Sequence, residues 1–279
     1  MSATIDEAAD VARERARKSS FYRAMAILPR DKRDAMFEIY SFCRAVDDIA
    51  DEGGDKETKK AGLEAWRCAI EALYSGGHAG LAAGLVMPLR EFGFAREDFL
   101  AVIDGMEMDV DSDIVAPDAA TLDLYCDRVA SAVGRLSVRV FGMPEDDGVA
   151  LAHHLGRALQ LTNILRDIDE DASIGRLYLP RENLAAAGVM DPTPEKVAAM
   201  GDLDAVCLPL LAQAKDHFEK ADAIMAERPR DEIRAPKIMS LAYGAIWRKL
   251  AARGFAKPRE TIKTPKLTLI GAILRYGFF

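Results

Sequence analysis

One stretch of the chain, Leu155–Asp171 (LGRALQLTNILRDIDED), combines helical spacing with polar side chains that a helix interior rarely carries. Apolar residues recur there at steps of three and four, which predicts one continuous helix. Asp167 and Asp171 stand four residues apart, so two like charges repel on one face, and Asp is also a poor helix former. A cation between the carboxylates would remove this conflict, and a solvated helix end with fraying acids is the alternative. The same face carries Gln160, Asn163, Asp167 and Asp171.

A comparable pattern occurs earlier in the chain, where Arg44–Asp51 reads RAVDDIAD. Asp47 and Asp51 repeat the four-residue spacing at the end of a predicted helix, Lys32–Ala50, with Asp31 as its N-cap. Acidic groups at a helix C-terminus oppose the helix dipole, which again favours a compensating cation. If the two helices face each other across a cavity, the carboxylates form two rims. Such oxygen ligands suit Mg²⁺, or alternatively Mn²⁺, and not zinc or copper.

Protein-bound Mg²⁺ usually completes its coordination shell with substrate phosphates, so the predicted ligand is a diphosphate. A metal ion would neutralise a leaving diphosphate and so assist the breaking of a C–O bond. Basic and phenolic groups near the two rims can hold phosphate oxygens, although ordinary surface pairing also explains any single arginine. These groups are Arg44, Arg166, Arg176 and Tyr178.

Apolar and aromatic residues between the rims predict a dry cavity for a long prenyl chain and a reactive allylic cation, although plain core packing also explains most of them. Gly134 lies inside a predicted helix, Asp118–Phe141, where glycine costs about 1 kcal/mol relative to alanine. It is therefore expected to admit a close helix or a ligand. The predicted lining comprises Phe21, Tyr22, Tyr40, Phe42, Tyr125, Val129, Val133, Leu136, Leu159 and Leu161.

The composition predicts an all-α protein. Half of the 279 residues are hydrophobic, and Ala, Leu, Glu, Arg and Met are abundant, whereas alternating runs of Val, Ile and Thr are scarce. No linker, low-complexity tract or internal repeat is visible, so residues 1–279 are expected to form a single domain. The acidic run Glu107–Asp113 is predicted to be a solvated turn. Further predicted helices span residues 6–18, 61–74, 81–92, 96–108, 181–187, 202–226 and 232–252.

Charge and targeting signals exclude several classes of protein. A net charge of −8 argues against non-specific binding of nucleic acid. The four cysteines are dispersed with no CxxC pair, which predicts reduced, mostly buried thiols in a cytoplasmic protein. The first ten residues lack the apolar core of a secretory signal, and the longest apolar stretches are too short to span a bilayer. The tail Lys266–Phe279 is expected either to pack on the core or to make a possible peripheral contact with the inner membrane.

Five segments, in this order, resemble the squalene/phytoene synthase family: SSFYRAMAILP, YSFCRAVDDIADE, GMEMDV, YCDRVASAVGRLSVRVFG and LGRALQLTNILRDIDEDASIGRLYLP. The resemblance runs from Ser19 to Pro180 and continues weakly to the helix that contains Tyr243. Each DxxxD alone is a common string, whereas the ordered set is highly specific. The resemblance implies one all-α domain of the isoprenoid synthase type, a helical bundle around a central cavity. In its looser C-terminal part, Arg259 and Lys263 are expected to reach phosphate.

The resemblance also implies roles for individual residues. Tyr125 matches a tyrosine proposed to assist proton removal. Asp48 also matches the motif but is expected to contact the metal ligands and not the metal itself. Four aspartates are expected to coordinate Mg²⁺ bound to farnesyl diphosphate: Asp47, Asp51, Asp167 and Asp171. The positions that the family uses to bind diphosphate or to line the prenyl channel are Ser19, Ser20, Phe21, Tyr40, Arg44, Gln160, Asn163, Arg166 and Tyr243.

The implied reaction is head-to-head condensation of two farnesyl diphosphates, in which a cyclopropane closes, one diphosphate leaves and presqualene diphosphate forms. The segments SSFYRAM and GMEMD favour the bacterial branch of the hopanoid-type squalene route, with downstream squalene-pathway enzymes as possible partners. NADPH is not expected. Phytoene synthesis and complete squalene synthesis are alternatives. A non-catalytic assembly factor of the same fold is another, although it would be expected to lack the metal aspartates that this chain keeps.

Overall fold

The computed structural model describes residues 25–51, 53–111, 114–263 and 266–278. Every regular element within these ranges is helical, and two isolated bridges, Val115 with Leu177 and Asp202 with Ala256, are their only β-type pairings. The predicted all-α class is therefore confirmed. The α-helices are α1 (Arg30–Asp51), α2 (Lys56–Ser75), α3 (Val86–Phe92), α4 (Arg96–Asp111), α5 (Ala119–Cys126), α6 (Ala132–Phe141), α7 (Glu145–Arg166), α8 (Ile168–Ser173), α9 (Arg181–Ala186), α10 (Pro194–Ala199), α11 (Asp204–Ala226), α12 (Arg230–Arg253) and α13 (Lys266–Ile273).

Shorter helical turns of other types connect some of these elements. A 3-10 turn, Gly80–Leu85, precedes α3, so the predicted helix over 81–92 divides into two pieces. A π-turn, Asp127–Ser131, joins α5 to α6 within the predicted helix over 118–141. A second π-turn, Leu274–Phe278, follows α13.

The start of α1 differs slightly from the sequence prediction. The helix begins at Arg30, and the amide of Arg33 donates to the carbonyl of Pro29 at 2.8 Å, so Asp31 lies in the first turn and is not the N-cap. The loop after α1 is also shorter than predicted. Asp55 caps α2 by accepting from the amide of Thr58 at 2.8 Å, and an aspartate cap of this kind starts a helix five residues before the predicted 61–74.

The predicted single helix Leu155–Asp171 is broken at one residue. Helix α7 ends at Arg166, Asp167 has φ −105° and ψ 14°, and α8 then runs from Ile168 to Ser173. The side chain of Asp167 accepts two hydrogen bonds from the neighbouring Arg166, and such local pairing competes with helix formation. The break is shallow, because the amide of Asp171 still donates to the carbonyl of Asp167 at 2.8 Å.

Two glycines allow other elements to approach α7 closely. A Cβ at Gly134 would stand 2.9 Å from the Cβ of Ala152, and a Cβ at Gly156 would stand 2.8 Å from the backbone of Ser131. Any side chain there would force the helices apart. The prediction that Gly134 admits a close helix is confirmed, and that helix is α7.

Two buried clusters form the core. In the first, Phe42 packs edge-on against Trp66 and Phe99, with ring centroids 5.4 and 5.2 Å apart. The second surrounds the C-terminal end of α7 and includes Leu161 and the fully buried Phe255. Phe42 and Leu136 are buried core residues, as the alternative of plain core packing expects, whereas Leu161, although buried in the second cluster, lines a small cavity of ≈ 120 Å³. The tail also reaches the core, where Leu269 and Ala272 of α13 are buried.

Candidate active site

The first acidic cluster lies at the C-terminal end of α1. Arg44 donates to Asp47 at 2.9 Å and pairs with Asp48 at 2.5 Å, so one guanidinium is shared by two carboxylates. Burial, followed by the charge of Asp51, raises the pKa of Asp47 to about 6, against the opposing effect of Arg44. The cluster therefore contains more negative charge than its own arginine neutralises.

The second acidic cluster lies at the junction of α7 and α8. Arg166 holds both carboxylate oxygens of Asp167, at 2.7 and 2.5 Å. Burial, and then the charge of Asp167, raises the pKa of Asp171 to about 7. Tyr243 of α12 stands beside this pair and forms a hydrogen bond with Arg166 that contributes to raising the pKa of that guanidinium.

A third acid, Asp109 of α4, connects the two clusters. Its side chain is 4% exposed and accepts hydrogen bonds from the hydroxyls of Tyr178 at 2.7 Å and Tyr125 at 3.0 Å. The charge of Asp109 contributes to raising the pKa of both Asp47 and Asp171. Both acidic clusters therefore lie close enough to Asp109 to interact with its charge.

Arg176 crosses between these acids. Its Nη1 lies 2.7 Å from Asp51 and its Nε lies 3.7 Å from Asp109. The backbone fixes its position, because the amide of Arg176 donates to the carbonyl of Asp171 at 2.9 Å and the next residue, Leu177, accepts from Ala116 at 2.8 Å. Nearby acids raise the pKa of Arg176, so the guanidinium is charged.

The prediction of a solvated turn at Glu107–Asp113 is wrong for its described part. Residues 107–111 continue α4, and Asp109 is buried between Met108 and Val110, which are also buried. Sequence reasoning did not single out Asp109 as a site residue. The available signal was the apolar spacing around it, since Met106, Met108 and Val110 alternate with the acids.

The chemistry of these donors fits a hard divalent cation. All the candidate ligands are oxygens, and two of the carboxyls have raised pKa values because they are poorly solvated and lie beside other carboxylates. The buried Oδ1 of Asn163 has no hydrogen-bond partner, while the amide nitrogen of the same side chain donates weakly to Gln160 at 3.4 Å. An unpaired buried oxygen one helical turn before Asp167 is the kind of atom that a Mg²⁺ ion or its bound water would satisfy.

A polar cavity adjoins the acids, and a separate apolar cleft lies along the middle of α7. The polar cavity, of ≈ 290 Å³, is lined by Asp51, Asp109 and Arg176, together with the lysines Lys56 and Lys59. The cleft, almost wholly apolar and ≈ 100 Å³ in volume, lies between α6, α7 and α12. Its lining includes Met25, Val133, Leu155, Leu159 and Met239.

The other predicted site residues are distributed as follows. Tyr40 is half-buried on α1, Val129 packs against both cores, and Tyr125 is stacked on Tyr178 with ring centroids 5.1 Å apart. The guanidinium of Arg259 is not free to bind phosphate in this structure. It is bound to Asp169 and to the carbonyls of Ala198 and Met200. Four predicted residues lie outside the described residues: Ser19, Ser20, Phe21 and Tyr22.

Comparison with known proteins decides the family. The sequence profile of the squalene/phytoene synthase family matches residues 15–268. The chain belongs to this family. Its members include a presqualene diphosphate synthase from Rhodopseudomonas palustris, which is 59% identical over 259 residues that cover 93% of each protein. A presqualene diphosphate synthase from Sinorhizobium fredii is 56% identical, again over 93% of both chains.

A solved structure shares the fold of this chain. A dehydrosqualene synthase crystallised with a ligand superposes with a TM-score of 0.80 at 24% identity, and the match covers 96% of this chain and 93% of that one. The predicted isoprenoid synthase type of helical bundle is thus confirmed. The resemblance predicted from the five sequence segments is also confirmed.

Proposed function

We propose that the chain condenses two molecules of farnesyl diphosphate head-to-head to presqualene diphosphate, with release of one diphosphate. The observation that carries this proposal is the proximity of the two acidic clusters to Asp109, together with an apolar cleft along the middle of α7, the helix that ends at the second cluster. The identity of 59% to a protein named presqualene diphosphate synthase supports the choice of substrate and product. The protein is then a prenyltransferase of the squalene and hopanoid route.

The polar end of the site is proposed to bind the diphosphate groups. Mg²⁺, or Mn²⁺ in its place, would neutralise the charge of the leaving diphosphate and so assist breaking of the C–O bond. Three arginines stand beside the carboxylates and can move from them to phosphate oxygens: Arg44, Arg166 and Arg176. The proposed metal ligands are Asp47, Asp51, Asp167 and Asp171, with Asn163 Oδ1 next to them. Ser19, Ser20, Tyr40, Gln160, Tyr178 and Tyr243 are proposed to bind or enclose the same groups.

The apolar cleft is proposed to hold a farnesyl chain. Val133 and Leu159 line it, and the absence of polar side chains on most of its wall excludes groups that would capture an allylic cation. Phe21 is proposed to contribute to the same channel.

Tyr125 is proposed to assist removal of the proton that closes the cyclopropane. Burial and the adjacent Asp109 raise the pKa of its hydroxyl well above the usual value, so the phenol stays protonated at neutral pH. Its Oη can accept a proton from substrate while it passes its own proton to Asp109 Oδ2, 3.0 Å away. Asp109 is thereby the final acceptor, and its own raised pKa suits that role.

Product analysis tests this proposal. Purified protein with Mg²⁺ and farnesyl diphosphate is expected to form presqualene diphosphate, and adding NADPH is expected to leave the product unchanged. Formation of squalene in proportion to NADPH would contradict the proposed end point. Formation of a C40 product from geranylgeranyl diphosphate, with none from the C15 substrate, would move the assignment to phytoene synthesis. No turnover with either substrate would favour the non-catalytic alternative.

We also propose that the enzyme acts in the cytoplasm and hands its product on to squalene-pathway enzymes at the inner membrane. No helix within the described ranges is long and apolar enough to cross a bilayer. Helix α13 uses Leu269 and Ala272 to pack on the core, while Ile270 and Leu274 remain 53% and 52% exposed. Such an exposed apolar face suits shallow contact with lipid, into which a long-chain diphosphate can leave.

A further inference from the structure

Three of the four histidines of the chain meet at a point remote from the acidic clusters. His153 and His154 lie on α7, and His217 lies on α11. One ligand nitrogen from each can be chosen so that all three lie within 4.8 Å of one another. Along α7, nine residues separate His154 from Asn163, which corresponds to about 14 Å of helix. Nothing in the proposed condensation uses these side chains.

The imidazoles are already in direct contact. Nδ1 of His154 and Nδ1 of His217 are 3.0 Å apart, so one ring donates a hydrogen bond to the other. The rings of His153 and His154 stand nearly perpendicular, with centroids 4.7 Å apart, and the ring of His217 lies 5.8 and 5.2 Å from them. His217 is buried and the other two are half-buried, so the cluster is partly shielded yet open to a small ion.

The charges around the cluster favour neutral rings. Burial lowers the pKa of all three histidines, and that of His217 falls to about 4. The cations that act on them are Arg135, Arg157 and Lys220, and the acids are Asp123, Asp127 and Asp216. Neutral imidazole is the form that binds metal, so no proton has to be removed near neutral pH.

We propose that His153, His154 and His217 bind a divalent transition-metal ion of the zinc class and thereby link α7 to α11. Three nitrogen ligands with water in a fourth position are a common tetrahedral arrangement, in which Zn–N bonds of about 2.0–2.1 Å place the nitrogens about 3.3 Å apart. Binding requires the ring nitrogens, which now lie within 4.8 Å of one another, to close to this value. The proton now shared between the two Nδ1 atoms moves to Nε2 of the same ring, so no net proton is released.

This site is distinct in chemistry from the acidic site. Mg²⁺ prefers oxygen ligands, whereas imidazole suits zinc, copper and nickel. Excess Mg²⁺ should therefore occupy the acidic clusters without competing for the histidines. Because α7 also carries Asn163, a metal on the histidines would stabilise the helix that presents part of the acidic site.

Calorimetric titration of the full chain with ZnCl₂ in excess Mg²⁺ tests the proposal, and absorption of bound Co²⁺ reports whether nitrogens are ligands. One equivalent is expected to bind. Binding should be lost in His217→Ala and weakened at least tenfold in His153→Gln, whereas His78→Ala, which changes the exposed fourth histidine, and Asp171→Asn should both retain it. A free metal concentration 100 times the Kd should lower the unfolding constant of the unsubstituted protein about 100-fold.

Circular dichroism of each variant checks that it folds, and His153→Gln changes a half-buried side chain in case His217→Ala is unstable. Absence of a zinc equivalent in the unsubstituted protein would overturn the proposal. Retention of full affinity in both histidine variants would also overturn it, as would loss of the equivalent in Asp171→Asn.

Discussion

Asp47 and Asp171 are the residues at which the conflict between folding and function is greatest. Each is half-buried beside another aspartate, and their pKa values are raised to about 6 and about 7. In metal-free protein, both therefore bind protons more tightly when folded than in the unfolded chain, where Asp titrates near 4. The free energy of unfolding then falls as pH rises from about 4 to about 7 and stays reduced at higher pH.

Removing one of these charges should separate its effect on turnover from its effect on the free energy of unfolding. We expect Asp171→Asn to abolish turnover of farnesyl diphosphate, yet to raise the free energy of unfolding of metal-free protein at about pH 8 by on the order of 2 kcal/mol. The gain should disappear as the pH approaches about 4, where the unsubstituted carboxyl is protonated. Urea unfolding with a chelator present, together with activity assays in Mg²⁺, measures both.

Asp146→Asn provides the control, because Asp146 is exposed in the first turn of α7. It should retain activity and show no such gain. An Asp171→Asn variant that kept full activity, or that was less stable than the unsubstituted protein at about pH 8, would contradict the account of this residue.

The aspartates at the rims could be recognised from sequence because their conflict is local. Asp167 and Asp171 repel each other within one helical segment, and a sequence displays that spacing directly. Asp109 could not be recognised in the same way. Its partners Tyr125, Tyr178 and Arg176 come from other segments of the chain, and the acids two residues to either side of it, Glu107 and Asp111, are typical of a solvated turn.

At the scale of elements, long amphipathic helices were predictable and their interruptions were not. The predicted 202–226 and 232–252 differ from α11 and α12 by two residues or fewer at each end. The break at Asp167 depends on a side-chain pairing with Arg166 that competes with the helix, and periodicity carries no signal for it. The consequence is that α8 is a separate short helix whose position depends on tertiary contacts.

Arg259 supplies one of those contacts. Its side chain is 3% exposed, and its guanidinium binds Asp169 of α8 with a shortest contact of 2.6 Å. The guanidinium also donates to the carbonyl of Ala198 near the end of α10 and to the carbonyl of Met200 just beyond it. We expect Arg259→Ala to lower the free energy of unfolding by about 2–4 kcal/mol, because two part-buried carbonyls lose their donor. The turnover number should fall as well, since α8 carries Asp171.

Thermal or urea unfolding and steady-state kinetics measure these effects. Lys249→Ala, an exposed substitution on α12, should change neither. Asp169→Asn should cost less than Arg259→Ala, because the arginine keeps its carbonyl partners. If Arg259→Ala were as stable and as active as Lys249→Ala, the anchoring role would be wrong.

At the scale of the whole molecule, the tail has one face on the core and one face free. Because Ile270 and Leu274 are exposed, replacing both with glutamate should leave the fold intact. We expect this double variant to sediment several-fold less with vesicles that contain anionic lipid than the unsubstituted protein does. Met190→Glu, a change at an 81% exposed residue, is the matched control. Equal sedimentation of all three proteins would contradict the proposed membrane contact.

The central claim is that the two acidic clusters act together on one metal-bound diphosphate. Sequence spacing indicated each cluster, but their shared proximity to Asp109 depends on the packing of α1, α4 and α7 and is a property of the folded molecule. The most direct measurement is anomalous diffraction from crystals grown with Mn²⁺ and a non-hydrolysable analogue of farnesyl diphosphate. Manganese and diphosphate are predicted to lie between Asp47 and Asp171, with the prenyl chain in the cleft lined by Val133 and Leu159. Manganese confined to one cluster, or a prenyl chain outside that cleft, would contradict the account.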